Sequence, residues 1–340
     1  MSSDAGSGAA EFRLRPARFP ADLEAAAAVM TAAAPRFPMT PRLLAERNAA
    51  RDPALKNAEL VAEVGGELVA VGSAEQQDGS EHADAFRLNL RVAEGWQRRG
   101  VGRSLLARLE QEVLALGGRV VRGNVRQDVP GALALAERGG YHRTWTRYES
   151  RLKVRSGHTY PEFAHLLERV QREGVVFRSL SALANDPQRD RRLYELDWRL
   201  MNDVPLGMSL SRPPLDVWVS QNLTTQTSEP DLSFVALHPA QDDPLTGPYI
   251  GLSTLEHTPG GFYVIGMTGV LPGYRGRGVA KALKVQAMRA LAARPGSPAG
   301  GDEIRTFNDP PNVAMLGMNA SLGFERGPDI YRYERELRPG

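Results

Sequence analysis

The 340-residue chain contains no cysteine. A thiol nucleophile, a disulfide framework and a Cys-ligated metal are therefore excluded. Its six histidines, at 82, 142, 158, 165, 238 and 257, stand singly with no pair at metal-ligand spacing, so no metal site is expected. No apolar run approaches the ~20 residues of a membrane-spanning helix. The opening MSSDAGSGAAEF carries an acid and lacks the basic start and apolar core of a secretory signal. A cytoplasmic protein without a membrane partner is expected. Charge of one sign is lacking too: 42 Lys+Arg against 40 Asp+Glu leave +2, which argues against nucleic acid as a partner. What remains is ordinary for a globular protein, 42% hydrophobic and 24% charged. The length suits two domains of about 150 residues, each large enough to bury its own core.

One stretch organises the chain, Thr268 to Gln286, TGVLPGYRGRGVAKALKVQ. A strand-like run, Phe262 to Ile265, leads to a Pro272-Gly273 turn, and a helical pattern free of Gly and Pro follows from Val279 to Arg294. Between them lies Arg275-Gly276-Arg277-Gly278-Val279-Ala280. Glycine removes side chains where a ligand approaches the backbone, and the first turn of a helix offers unsatisfied N–H groups at the positive end of its dipole. With two arginines added, the loop is suited to a polyphosphate. The device recurs at Gln97-Arg98-Arg99-Gly100-Val101-Gly102, after a strand-like segment (Phe86, Leu88, Leu90, Val92) and before a helical one, Val101 to Leu116. Each copy continues into an apolar strand and a short helix ending at a Gly-aromatic pair. These are Gly140-Tyr141 and Gly323-Phe324, 44 and 49 residues after the first residue of their loops. The chain is an internal repeat.

Both loops resemble the acetyl-CoA loop of the GNAT superfamily of N-acyltransferases, Arg/Gln-x-x-Gly-x-Gly/Ala between the fourth strand and the third helix. Thr306, Asn308, Asn312, Met315, Asn319 and Leu322-Gly323-Phe324 add to the likeness in the second copy. The resemblance implies an α/β (α+β) fold of two tandem GNAT-like domains, each a mixed, mostly antiparallel twisted sheet flanked by helices. It also implies an N-acetyltransferase with acetyl-CoA as co-substrate and no metal.

In chain order, residues 1–10 read as a disordered tail, 11–155 as the N-terminal GNAT-like domain, 156–174 as a linker helix and 175–340 as the C-terminal domain. Thr40-Pro41 reads as a helix cap followed by Pro at the first helical position, and Gly65-Gly66 as a two-residue hairpin. Residues 203–230 form a long polar stretch holding Pro205, Pro213 and Pro214. It lies where the family shapes its acceptor pocket. Both loops are intact, but Asn308 and Asn312 have only Asn124 and Asp128 as counterparts, and tandem members of the superfamily place their chemistry in the carboxy-terminal half. The second domain is therefore the expected catalytic half.

The resemblance assigns the cofactor phosphates to Gln97, Arg98, Arg99, Gly100, Val101, Gly102 and Arg103 in one copy, and to Arg275, Gly276, Arg277, Gly278, Val279, Ala280 and Lys281 in the other. The pantetheine arm would run beside Leu90 and Val92, or Thr268 and Val270. The backbone N–H of Val270 would donate to the thioester oxygen. Asn308 and Asn312 would reach the cofactor, with helix capping as the alternative. The acceptor would be a primary amine of a small molecule, attacking directly. An amine of pKa about 10 must lose a proton to attack. Glu256, with His257 beside it, is the candidate base on its strand, five residues after Gly251; Glu75, three after Gly72, occupies the matching face. Exposed strand-end residues are the alternative reading for Glu256 and His257. Many family members carry an acidic tyrosine five residues before the closing aromatic. Here Ala136 and Asn319 stand there, leaving Tyr331, Tyr333 or water. An acyl-CoA sensor without turnover and a transferase acting on a protein amine stay open, as do monomer and homodimer. A transferase using aminoacyl-tRNA is disfavoured, since such paired-domain enzymes have lost the loop.

Overall fold

The computed structural model describes residues 11–77, 84–204, 212–296 and 302–338. The chain falls into two units, Met1–Trp145 with Ile330–Gly340, and Thr146–Asp329. The first begins with β1 (Arg13–Pro16), α1 (Leu23–Ala33), α2 (Pro41–Ala49), β2 (Asn57–Val64), β3 (Glu67–Gln76) and β4 (Ala85–Val92). It continues through α3 (Val101–Ala115), β5 (Val120–Arg126), α4 (Pro130–Arg138) and the start of β6 (His142–Val154). Then come α5 (Ala164–Arg172), β7 (Val176–Ser179), α6 (Arg189–Met201), α7 (Leu215–Asn222), β8 (Phe234–Leu237), β9 (Tyr249–His257) and β10 (Tyr263–Val270). The chain closes with α8 (Val279–Ala292), β11 (Asp302–Asn308), α9 (Val313–Ser321), β12 (Glu325–Arg326) and β13 (Ile330–Glu336).

Local chemistry accounts for several of these boundaries. Thr40 accepts the Leu43 N–H at 3.1 Å while Pro41 opens α2, a cap that stabilises by about 1 kcal/mol. Gly65 and Gly66 both take positive φ, 57° and 91°, as a tight turn between β2 and β3 requires. On α3, Val101, Leu105, Leu109 and Val113 recur every fourth residue and are completely buried, packing with Phe86 and Val121. On α8, Val279, Leu283 and Leu291 do the same against Ile250 and Ile304.

The two sheets repeat one plan. In the first unit β1-β2-β3-β4 are antiparallel, β4 and β5 run parallel, and β13 lies antiparallel to β5. In the second, β7-β8-β9-β10 are antiparallel, β10 and β11 run parallel, and β6 lies antiparallel to β11, with β12 also on β6. The expected mixed, mostly antiparallel sheets with helices are thus present in tandem.

The division of the chain differs from domains of 11–155 and 175–340. Thr146 onward in β6 serves the second unit, and β13, at the far end of the sequence, completes the first. Both β5 and β11 need a partner on their open side, and each takes it from a strand distant in sequence. The expected linker helix is α5, whose Leu167 and Val170 are buried in the second unit's core. The polar stretch 203–230 is not all loop. Residues 205–211 lie outside the described residues, and α7 follows directly after Pro214, burying Trp218 against α6.

Candidate active site

Parallel pairing between β10 and β11 covers only Tyr263↔Ile304 and Val264↔Arg305, after which the strands part. Leu271 N–H donates to the Ile250 carbonyl of β9 at 2.8 Å. Because backbone groups alternate sides along an antiparallel ladder, Val270 and Thr268 turn their N–H groups away from β9, into the gap. The first unit repeats this. Pairing of β4 with β5 stops at Leu88↔Gly123, and Ala93 donates to Val69 at 2.9 Å, leaving Val92 and Leu90 facing the gap. In both copies the first loop residue ties the gap's end: Gln97 Nε2 donates to the Val92 carbonyl at 3.1 Å, and Arg275 Nε to the Val270 carbonyl at 3.3 Å. Arg275 also pairs with Asp203.

The loops themselves correspond position by position in backbone conformation. Gly100 and Gly278 precede their helices at φ 86° and 88°. The second loop position is also left-handed in both, Gly276 at 73° and Arg98 at 59°. Arg99 stacks on Trp96 and Arg277 on Tyr274, at 5.0 and 5.6 Å. Val101 and Val279 are buried, so these two offer the loop only their backbones; Gly102, Arg103 and Ala280 sit beside them in the first helical turn. The copies differ in what covers them. A Cβ on Gly100 would meet nothing within 4 Å, whereas one on Gly278 would come 2.6 Å from Leu166 of α5 and 3.0 Å from Arg169. Lys281 lies 5.2 Å from the ring of Phe163, just before that helix.

The two strand carboxylates are also counterparts. β9 pairs Gly251 with Val270, and β3 pairs Ala70 with Val92. Glu256 and Glu75 each stand five residues beyond, so the reference in the first copy is Ala70 rather than Gly72. Their surroundings are opposite. Glu75 binds Arg47 at 2.7 Å, Arg51 at 3.2 Å and Arg87 at 2.9 Å. Burial pushes its carboxyl up, but the hydrogen bonds from Arg87 and Arg47 outweigh that and hold it down at about 2. Glu256 has no ion pair among the described residues; its one hydrogen bond, from Thr227 Oγ1, is long at 3.5 Å. Burial raises its pKa, only partly offset by Thr227.

Glu256 is not an exposed strand end. It lines a cavity of about 360 Å³ with Asp197, Trp198, Trp218, Thr254 and Met267. A bulge in β10 between Ile265 and Thr268 makes this possible. A Cβ on Gly266 would stand 2.8 Å from Thr254 Oγ1 and 3.0 Å from Glu256 Oε1, so only glycine lets both side chains lie against the strand. The bulged Met267 N–H donates to Thr254 Oγ1 at 2.9 Å. His257, by contrast, is exposed and stacks on Tyr263, away from this cavity's lining.

Asp197 was not a sequence candidate. It accepts a hydrogen bond from Trp218 Nε1 at 2.9 Å, and burial raises its pKa against that bond. The available signal was its place four residues after the buried Leu193 on α6, an acid on an apolar face. Trp198 also lines a second, more open cavity of about 590 Å³ with Asp203, Leu271 and Tyr274, at the foot of the loop.

Asn319, at the position of the missing tyrosine, is buried and donates from Nδ2 to Asn308 Oδ1 at 2.8 Å. Asn312 caps α9, accepting the Met315 N–H at 3.3 Å. Tyr331 and Tyr333 do not belong to this unit. Both lie on β13, where Tyr333 donates to Glu137 and Tyr331 lies under Arg143. Among the described residues no group of three or more His, Asp or Glu is placed to hold a metal ion, and no helix is long and apolar enough to cross a membrane.

A helix start shaped for an anion, a gap between parallel strands and a carboxylate facing a cavity fit the group transferase that the sequence resembles. Comparison with known proteins agrees. Residues 26–141 match the acetyltransferase (GNAT) family. A mycothiol acetyltransferase of Geodermatophilus obscurus is 30% identical over 258 residues, covering 73% of each chain. One from Kineococcus radiotolerans is 29% identical over 262 residues, 75% of this chain and 74% of that one. Among solved structures, a tandem GNAT protein from the clavulanic acid biosynthesis pathway covers 97% of this chain and all of its own, with a TM-score of 0.68 at 19% identity, a likeness of fold. The chain belongs to the acetyltransferase (GNAT) family and is an N-acetyltransferase.

Proposed function

We propose that the second unit transfers an acetyl group from acetyl-CoA to the primary amine of a small molecule by direct attack, in the cytoplasm. The observation that carries this reading is the contrast between Glu256, unpaired at the wall of a cavity, and its counterpart Glu75, held by three arginines. Of the two counterparts, only Glu256 is without an ion pair among the described residues. The small acceptor is supported by the cavity, about 360 Å³ and lined by three carboxylates, Asp197, Glu229 and Glu256, and two tryptophans. It is supported also by the relatives, which are named mycothiol acetyltransferases.

Acetyl-CoA supplies an activated thioester. The N–H groups at the start of α8, with Arg277 and Lys281, hold its phosphates, and Thr268 and Val270 line the gap for its arm, the Val270 N–H facing the carbonyl oxygen. Asp197 and Glu256 attract an ammonium into the cavity. Glu256 then takes the proton that the amine must lose, directly or through one water. Asn319 has no acidic proton to give, and the leaving thiol, of pKa about 8.5, departs as thiolate or takes its proton from water.

The test is acetyl-CoA titration calorimetry followed by thiol release against a panel of amines. Charge reversal is cleaner at Arg277 than substitution of Gly278, which would also disturb α5. Arg277→Glu is expected to remove binding at the second unit and all turnover, and Arg99→Glu to remove at most one binding event. Glu256→Gln should lower kcat by about 10²–10⁴-fold while acetyl-CoA still binds, and Glu75→Gln should leave kcat within about twofold, well below that range. Binding without turnover of any amine would favour a sensor. Absence of binding would refute the reading.

A further inference from the structure

Lys284 lies in the middle of α8 with 2% of its surface exposed. Its Nζ donates to Asn319 Oδ1 at 2.6 Å, and the ring of Phe324 stands 5.5 Å away. Among the described residues no carboxylate forms an ion pair with it. Burying an ammonium group without a counter-charge is costly, and burial lowers its pKa to about 7. The fold does not need it. Counting from the loop, the sixth residue after Gly278 is Lys284 and the sixth after Gly100 is Leu106; Asn319 corresponds to Ala136. The first unit packs the same two positions with apolar side chains.

The network has one direction. As an ammonium group Lys284 only donates, and in that form it fixes the oxygen of the Asn319 amide toward itself and the nitrogen toward Asn308. Asn308 in turn offers its Oδ1 to Asn319, at 2.8 Å, and its own Nδ2 is directed elsewhere. No hydrogen bond of that nitrogen exists among the described residues. Asn308 ends β11, three residues beyond Arg305, the last to pair with β10, so it stands on the wall of the gap.

We propose that Lys284 is a positioning residue: through Asn319 it holds the Asn308 amide with its N–H groups turned into the gap, as donors to a carbonyl oxygen of the thioester-bearing arm. This rests on the reading of the second unit as the acetyl-CoA site. It explains why the position of the missing tyrosine is filled by an amide rather than by another apolar residue as in Ala136.

The experiment is acetyl-CoA calorimetry in an Arg99→Glu background, which isolates the second site, with a thermal melt of each variant. Lys284→Met should still fold and melt cooperatively, since the removal of a buried charge offsets the loss of a donor to Asn319 Oδ1, yet bind acetyl-CoA about tenfold more weakly, the loss of one hydrogen bond. Asn308→Ala should lose the same amount, and the double variant no more than either alone, because both remove one contact. Asn319→Ala, which copies the first unit, repeats the test without altering Lys284. Losses that multiply, or Lys284→Met and Asn319→Ala binding like the parent, would overturn the proposal. If the parent itself binds no acetyl-CoA, the reading of the site fails as well.

Discussion

Glu256 and Glu75 occupy one register position in two copies of a sheet, and their neighbours alone separate a carboxylate facing a cavity from one held by arginines. An arginine on α2, Arg47, another just past its end, Arg51, and Arg87 on β4 surround Glu75. Glu256 faces a cavity instead. The sign of its shift gives a pH prediction. Burial raises its pKa, so the ionised base is lost as pH falls through a value above the usual ~4.3. The kcat/KM of the parent should therefore show an acid limb displaced upward from that value, and Glu256→Gln should lack it. A limb unchanged in the variant would assign the base elsewhere. At this scale the sequence named Glu256 through an odd strand offset, but exposure at a strand end was equally readable. Strand counting gives a face; whether a face meets solvent, arginines or a cavity is set by helices far away in sequence. Asp197 was missed because a lone acid on a helix reads as surface until Trp218 is seen to cover it.

At the scale of elements, the two loops were legible because their geometry is local. A left-handed residue two places before the helix cap is needed in both, and the chain places Gly276 at one and Arg98 at the other. A Cβ at Gly276 would meet nothing within 4 Å, so its only penalty is backbone strain. Gly276→Ala is expected to destabilise the second unit by about 1–2 kcal/mol in urea unfolding. A neutral result would mean that the loop relaxes out of the left-handed region. The helix α7 was not legible, since Pro213 and Pro214 suggested a loop and only Trp218 is fully buried. Pro214 in fact sits at the helix cap, where its missing N–H removes no intrahelical bond. The β10 bulge was hidden likewise: Gly266 reads as a weak point in a strand, and only the closeness of Thr254 and Glu256 explains it.

For the whole molecule, the consequential feature is the destination of the last strand. β13 pairs with β5 along its full length and places Tyr333 and Leu337 in the first unit's core. Removing residues 330–340 should therefore unfold the first unit, although the deletion is nearly 200 residues away from it in sequence. Calorimetric scanning checks this. Retention of a first-unit transition in the truncated chain would show that β13 only decorates that sheet.

The sequence alone determined the repeat, both glycine- and arginine-bearing loops, the strand and helix around each, the family and the identity of one candidate base. All of these depend on near neighbours along the chain, where spacing, glycine and side-chain alternation act directly. Tertiary structure alone decided which of Glu75 and Glu256 is held by arginines, what encloses the cavity beside Glu256, which side chains meet Lys284 and which sheet each closing strand joins. Those outcomes depend on pairings across tens to hundreds of residues, and burial, charge compensation and strand partnership are properties of surroundings that no local pattern encodes.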